Sequence, residues 1–250
     1  TCSMNPSTIP QSALTGSITP RSGGGISGCV FHSDPSTSAI NGEFIQGVLN
    51  VTLVTDSFYC VKFYIALASE FKLSIDRIGI KFSDELYNFP SSDMPIPADV
   101  ETQEGKFYNK IGIWEKVQMI YRAKGNEEYI TIGNFREIGG ETNTRLVGQP
   151  FGDFRDETSY YYIDDVSVEM IPSYLANLNL GNDSILCDSS NFSKVLSVQP
   201  IYDSIRWSTG ETTFQITVNT LGTYAATAYT GGCEVKDTID FSLFQGSMFT

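Results

Sequence analysis

The chain is expected to be all-β and built as two successive sandwiches. Three observations carry this expectation. Strand-period alternation recurs along the whole chain without a helix-period counterpart, and turn-rich pieces interrupt it at short intervals. After Pro172 the pattern resets to shorter strands. The 250 residues, 41% of them apolar, are enough to bury such cores.

Taken in order, residues 44–54 give the first strand signal. In residues 58–67, Tyr59, Val61, Phe63, Ile65 and Leu67 share one face, while Cys60, Lys62, Tyr64 and Ala66 share the other. That is the pattern of a half-buried strand. Residues 75–82, 113–121, 128–132 and 160–171 repeat it, separated by Pro90, Pro95, Pro97, Gly105, Gly125, Gly139 and Gly140. Two stretches, 84–110 and 135–159, read as long loops, which either carry recognition or assembly surfaces or are tolerated insertions.

A domain boundary is placed at Pro172, giving domains 1–172 and 173–250. In the second, residues 204–207, 214–218, 223–228 and 234–243 alternate with the turns Ser208-Thr209-Gly210 and Thr230-Gly231-Gly232. Short strands at this density, with Trp207 as a core tryptophan and Tyr224 as a corner tyrosine, suggest an immunoglobulin-like sandwich.

Charge and residue usage exclude several functions. With 29 acidic and 16 basic residues, net charge −13, the chain is a poor match for nucleic acid or anionic lipid. Membrane insertion is not expected: the best apolar run, residues 58–68, is too short and carries Lys62. No basic-then-apolar leader follows Thr1, so a soluble, already processed segment is expected. The single histidine, His32, argues against multi-histidine metal sites and is the one imidazole base for any nucleophile. No Gly-x-Ser-x-Gly elbow accompanies it, and no enzyme is expected.

Cysteines at 2, 29, 60, 187 and 233 form no CxxC pair, which favours disulfides in an oxidising compartment. Cys187 and Cys233 bracket the second domain, and a bridge between them is worth about 4 kcal/mol in chain entropy. Cys2 and Cys29 are a second candidate pair, leaving Cys60 as a buried thiol. The run Gly23-Gly24-Gly25-Ile26-Ser27-Gly28 formally matches GxGxxG, but neither a preceding strand nor a following helix supports a phosphate site, so it reads as a flexible loop.

Four segments carry a family resemblance: residues 57–68, residues 75–83, Glu128-Tyr129-Ile130-Thr131-Ile132-Gly133-Asn134-Phe135, and Tyr160-Tyr161-Tyr162-Ile163-Asp164-Asp165-Val166-Ser167-Val168. In this order they resemble the jelly-roll module, galactose-binding-like, of large surface proteins from gliding bacteria that use type IX secretion. The second domain is similar to the Ig-like repeats of the same proteins through Leu186-Cys187, Trp207-Ser208-Thr209-Gly210, Gly222-Thr223-Tyr224 and Gly232-Cys233. The resemblance covers residues 41–240. It implies a non-catalytic, extracellular cell-surface protein acting in adhesion or as a self-assembling filament subunit, with other copies or neighbouring surface proteins as partners. A carbohydrate-binding module taking glycans is the alternative. The C-terminal sorting domain of the family, cleaved on secretion, has no counterpart after Phe244, as expected of a mature product.

The resemblance also implies site residues. In related carbohydrate-binding jelly rolls the aspartate of this motif helps hold a structural calcium, which points to Asp165 and, second, Asp164. Simple alternation puts the two on opposite faces of a strand, so they are not expected to act jointly. Asp183-Ser184-Ile185, Asp203-Ser204-Ile205 and Asp237-Thr238-Ile239 fit the O-glycosylation pattern of such bacteria, making Ser184, Ser204 and Thr238 candidate acceptors. Tyr108, Trp114, Tyr160 and Tyr161 are available to stack on sugars but are expected to pack instead. The family's opening strand is missing. An unpaired edge and open groove would result, fillable by a strand from another chain, with Phe241, Leu243 and Phe244 as donor residues ahead of Met248 and Phe249.

Overall fold

The computed structural model describes residues 16, 18–33, 42–87, 97–136 and 142–244. The chain divides into two compact units, Thr1–Met170 and Ile171–Thr250. Both are β-structures. Among the described residues, no helix is long and apolar enough to cross a membrane.

In the first unit the strands are β1 (Ser27–Ser33), β2 (Phe44–Val48), β3 (Phe58–Leu67), β4 (Leu73–Ile75), β5 (Gly79–Ser83), β6 (Val100–Glu101), β7 (Glu115–Arg122), β8 (Tyr129–Gly133), β9 (Thr144–Leu146) and β10 (Thr158–Ile171). One sheet runs β1-β10-β3-β7 and the other β2-β8-β5-β6, with β4 and β9 as a separate pair. Between the two large sheets lies one apolar cluster. Val61, Phe63 and Ile65 of β3 and Tyr161 and Ile163 of β10 reach it from one side, Ile80 of β5 and Ile130 and Ile132 of β8 from the other. This is a sandwich: each sheet buries alternate side chains against its partner.

β3 falls where its alternation places it, but its second face is not solvated. Ala66 and Ala68 pack there with Phe71, Tyr162, Ile18 and Ile26, so chain N-terminal to β1 crosses this face. Two other runs are cut short. Residues 44–54 keep strand structure only to Val48, leaving Val48, Val51 and Val54 exposed. Residues 75–82 split between two sheets, β4 pairing with β9 and β5 with β8 and β6. Asp76 marks the break. Its carboxylate accepts N–H bonds from Gly105 (2.7 Å) and from the backbone (3.1 Å) and side chain (2.8 Å) of Asn143, anchoring the crossing. The long loops contain the short strands β6 and β9, which two or three residues of pattern do not reveal.

The second unit contains a short helix, α1 (Ser173–Ala176), then β11 (Ser184–Leu186), β12 (Lys194–Ser197), β13 (Ser204–Trp207), β14 (Gln215–Val218), β15 (Gly222–Thr230) and β16 (Cys233–Leu243). The larger sheet has the order β11-β16-β15-β13, and β12 pairs with β14. β11 lies parallel to β16, while β15 and β16 form a long antiparallel hairpin. Trp207 is buried and its indole N–H donates to the Thr213 carbonyl at 2.8 Å. The Tyr224 hydroxyl donates to the Thr220 carbonyl at 2.7 Å, the upstream backbone bond of a corner tyrosine.

The expected cysteine pairing is not found. Cys60 and Cys233 are each disulfide-bonded, whereas Cys187 is an exposed free thiol. The register explains why Cys187 and Cys233 do not meet. β11 pairs with Phe241–Leu243, so Cys187 lies at the far end of β16 from Cys233, its first residue. Ten residues of strand span about 30 Å, far beyond the roughly 7 Å Cα separation a disulfide tolerates. Cys60 is accordingly not a free thiol. Cys29 is buried in β1, and Cys2 lies outside the described residues.

Phe241 is likewise not a free donor residue. It is buried in β16, paired with Ser184 on one side and Gly222 on the other, with its ring against Phe192 and Tyr224. Donating it to another chain requires β16 to leave both neighbours. Leu243 and Phe244 are exposed at the end of the strand, and Met248 and Phe249 lie outside the described residues.

Three carboxylates give the first unit an acid sensitivity. Burial pushes Asp76 up, but the Asn143 side chain and the N–H groups of Gly105 and Asn143 outweigh it and hold the carboxyl below its usual range. Burial acts in the same way on Asp99, and the Lys124 ammonium, the Phe82 N–H and Lys81 overcome it. In Glu127, burial is outweighed by the Tyr121 hydroxyl and by the N–H groups of Lys124 and Gly125. Groups with depressed folded-state values contribute stability above their unfolded values, near 4, and lose it as pH falls through the folded ones. The melting temperature should therefore be level from about pH 7 to 5 and fall steeply below about 4. Glu127→Gln should lower the plateau and flatten the acid slope; a slope unchanged in this variant would exclude Glu127 as a contributor.

Candidate functional site

Among the described residues of the first unit, a groove of about 690 Å³ lies between the two sheets. Its floor is the core itself, through Ile45 of β2, Ile132 of β8 and Ile163 of β10. Its rim on one side is β2 and the residues after it, including Val48 and Val51; on the other it is the stretch Asp164–Val168. Gly24, Gly25 and Ile26 form part of the wall. β2 is an edge strand of its sheet, with β8 beside it, and Ile45, Gly47 and Val48 line the groove.

The groove lies beside the end of β2 at Val48. Val48, 71% exposed, lies on the face of β2 opposite the core residue Ile45, and Val51, in the segment beyond the strand, is 68% exposed. Exposed valines beside a core-deep groove are an uncompensated apolar surface, the kind that marks an interaction edge. Among the described residues the lining holds no aromatic ring. It therefore offers dispersion contacts and backbone pairing but no ring for stacking on a sugar.

Asp164 and Asp165 stand on the rim, and strand alternation breaks between them. Asp165 has φ of +52°, in the left-handed region, where aspartate is one of the few side chains commonly tolerated. The reversal brings both carboxylates to one short segment, Arg21-Ser22, rather than to opposite faces. Asp164 accepts the backbone N–H of Arg21 at 2.7 Å and of Ser22 at 3.4 Å. Asp165 accepts the Ser22 hydroxyl and the Arg21 guanidinium. The same guanidinium lies 3.5 Å over the Tyr64 ring. The Ser22 hydroxyl and then the Arg21 charge hold the Asp165 carboxyl below its usual range.

These donors decide how the pair suits calcium. A dication needs several oxygens turned towards one point. Here both carboxylates are turned towards N–H, O–H and guanidinium donors, and among the described residues no group of three acidic, histidine or cysteine side chains converges. As arranged, both carboxylates are engaged by Arg21 and Ser22, and a calcium ion there would have to replace these bonds.

The remaining candidates are dispersed. Ser204 and Thr238 are exposed on β13 and β16, while Ser184 is partly buried in β11. The neighbouring aspartates have structural bonds: Asp183 accepts the Asp240 N–H at 2.8 Å and Asp237 the Leu180 N–H at 2.7 Å. Tyr108 and Tyr161 are buried, and the Trp114 indole donates to the Thr19 carbonyl at 3.1 Å. Tyr160 stacks on Phe71. A separate exposed aromatic pair is Phe151 and Phe154, with Arg155 4.0 Å and Lys72 4.7 Å from the Phe151 ring.

Sequence reasoning did not identify Arg21, Ser22 or the valines of the rim. A signal for the first two existed, an arginine and a serine directly before a triple glycine, but their acidic partners lie more than 140 positions away. Fold and site together define an all-β protein of two units with an open intersheet groove. No protein-family model matches the chain, and comparison with curated proteins finds no match.

Proposed function

We propose that this chain is a non-catalytic extracellular surface protein acting in adhesion or self-assembly, and that its first unit binds an extended apolar segment of a partner protein in the groove beside β2. The observation that carries this reading is an edge strand with exposed valines bordering a groove whose floor is aliphatic and whose rim carries Asp164 and Asp165. A β-strand laid there would add backbone bonds to β2 and insert alternate side chains between the sheets. Disulfide-bonded Cys60 and Cys233 support an oxidising compartment. The resemblance of residues 41–240 to surface proteins of gliding bacteria supports export by the type IX route, and exposure of Ser204 and Thr238 leaves both accessible to O-glycosylation. A second reading, glycan binding, is favoured by the exposed Phe151 and Phe154 rings, which lie away from the groove lining.

The test is fluorescence anisotropy of the full chain with a labelled peptide of alternating valine and threonine, about eight residues long. Saturable binding is expected, and Val48→Asp should weaken it by about tenfold or more with the melting temperature unchanged, because this side chain is already in water. Absence of binding, or equal binding by the variant, would overturn the groove as the site.

A further inference from the structure

Residues 19–25 form an arch beside the groove. Its feet, Ile18 and Ile26, are buried against Ala66, Phe71 and Tyr162. Its crown, Arg21-Ser22, is tied to Asp164 and Asp165 by the four hydrogen bonds described above. Its descending limb is Gly23-Gly24-Gly25, with φ of +58° at Gly23 and no atom within 4 Å of where a side chain would begin at Gly23 or Gly24. Gly24, Gly25 and Ile26 are also wall residues of the groove, as are Asp164 and Asp165.

We propose that this arch is an electrostatic latch that positions the wall of the groove: the two carboxylates fasten the crown, the glycines let the limb move when the crown is released, and ligand binding is thereby linked to the clasp. Three features carry the proposal. The wall residues are glycines, which have no side chain to hold them in place, so their position depends on what they are attached to. The crown makes its bonds at a half-exposed surface, where ion pairs are weak and sensitive to salt, so it opens far more readily than the buried feet. Asp165 adopts a backbone conformation that costs energy for most residues and that turns both carboxylates onto the crown. The Gly-rich motif thus acquires a role as a flexible limb, not as a phosphate cradle.

The consequence for binding rests on the groove being the binding site; the latch does not. Two measurements on the full chain separate them. Hydrogen exchange of peptides covering residues 19–25 reads the latch directly. Asp165→Asn, which removes the charge and keeps a side chain tolerant of positive φ, should speed exchange there by about tenfold and leave exchange in β3 unchanged. Salt near 0.5 M should speed it in the wild-type chain but have little further effect in the variant. Peptide anisotropy then reads the coupling. The same variant should bind the valine–threonine peptide about tenfold more weakly, since a mobile wall must be ordered on binding. Unchanged exchange in residues 19–25 would overturn the latch. Faster exchange with unchanged affinity would overturn its link to the groove, and a wild-type chain that binds no peptide would remove the groove reading while leaving the exchange result to decide the latch.

Discussion

Replacing Trp207 by alanine is expected to cost the second unit about 3–5 kcal/mol, the range for removing a fully buried aromatic side chain. Two losses combine. The indole is only 2% exposed, so truncation leaves a cavity. Its N–H also donates to the Thr213 carbonyl at 2.8 Å, and that bond ties β13 to the turn leading into β14. A unit of about 80 residues has a net stability of only about 5–10 kcal/mol, so the variant should be largely unfolded there under mild denaturant. Trp207→Phe should recover most of the packing but not the bond, leaving a deficit of about 1–2 kcal/mol. Urea unfolding followed by circular dichroism measures both; a loss below about 1 kcal/mol for Trp207→Ala would show that the tryptophan is not the keystone of this core.

Tyr161→Phe is expected to destabilise the first unit by about 2–4 kcal/mol although it removes a single oxygen. The hydroxyl lies fully inside the sandwich, accepting the Ile75 N–H at 2.9 Å and donating to the Tyr108 carbonyl at 2.8 Å. Removing it leaves a backbone donor and a backbone acceptor unpaired, both on buried residues. It also releases the end of β4, where the chain leaves the β4–β9 pair for the main sheet. Burial raises the Tyr161 phenol far above its ordinary value and pushes Tyr108 up to about 12. A variant as stable as wild type by thermal unfolding would mean that water or a backbone shift replaces the oxygen.

Legibility in the sequence followed the length of each periodic signal. β3 and β13 were readable from end to end, because ten alternating residues, or four bounded by a tryptophan and a turn, leave little freedom of register. β1 does not stand out in the sequence because its glycine-rich entrance reads as loop. The three-residue strands β4, β9 and β11 are too short to have a period and exist because a partner strand pairs with them. The apolar pattern overextends β2, since valines continue past Val48 after the pairing with β8 has ended.

The candidate site was only partly legible. Asp164 and Asp165 stand out in the sequence, but alternation assigns them to opposite faces. A local pattern assumes a regular strand, and a single residue at φ of +52° is enough to defeat it. Their partners Arg21 and Ser22, like the disulfide state of Cys60 and Cys233, depend on which distant segments meet.

By itself, then, the sequence determined the all-β class and the inward face of β3. It also determined the roles of Trp207 and Tyr224, each a consequence of side chains alternating every second residue and of water excluding the apolar set. Only the tertiary structure decided that β2 ends at Val48 beside a groove, that Cys187 lies at the far end of β16 from Cys233, and that both carboxylates turn onto one arch. The physical reason is one of range. Alternation is enforced residue by residue through backbone geometry, whereas strand order, register between distant segments and the left-handed turn at Asp165 are settled by the packing of the whole unit at once.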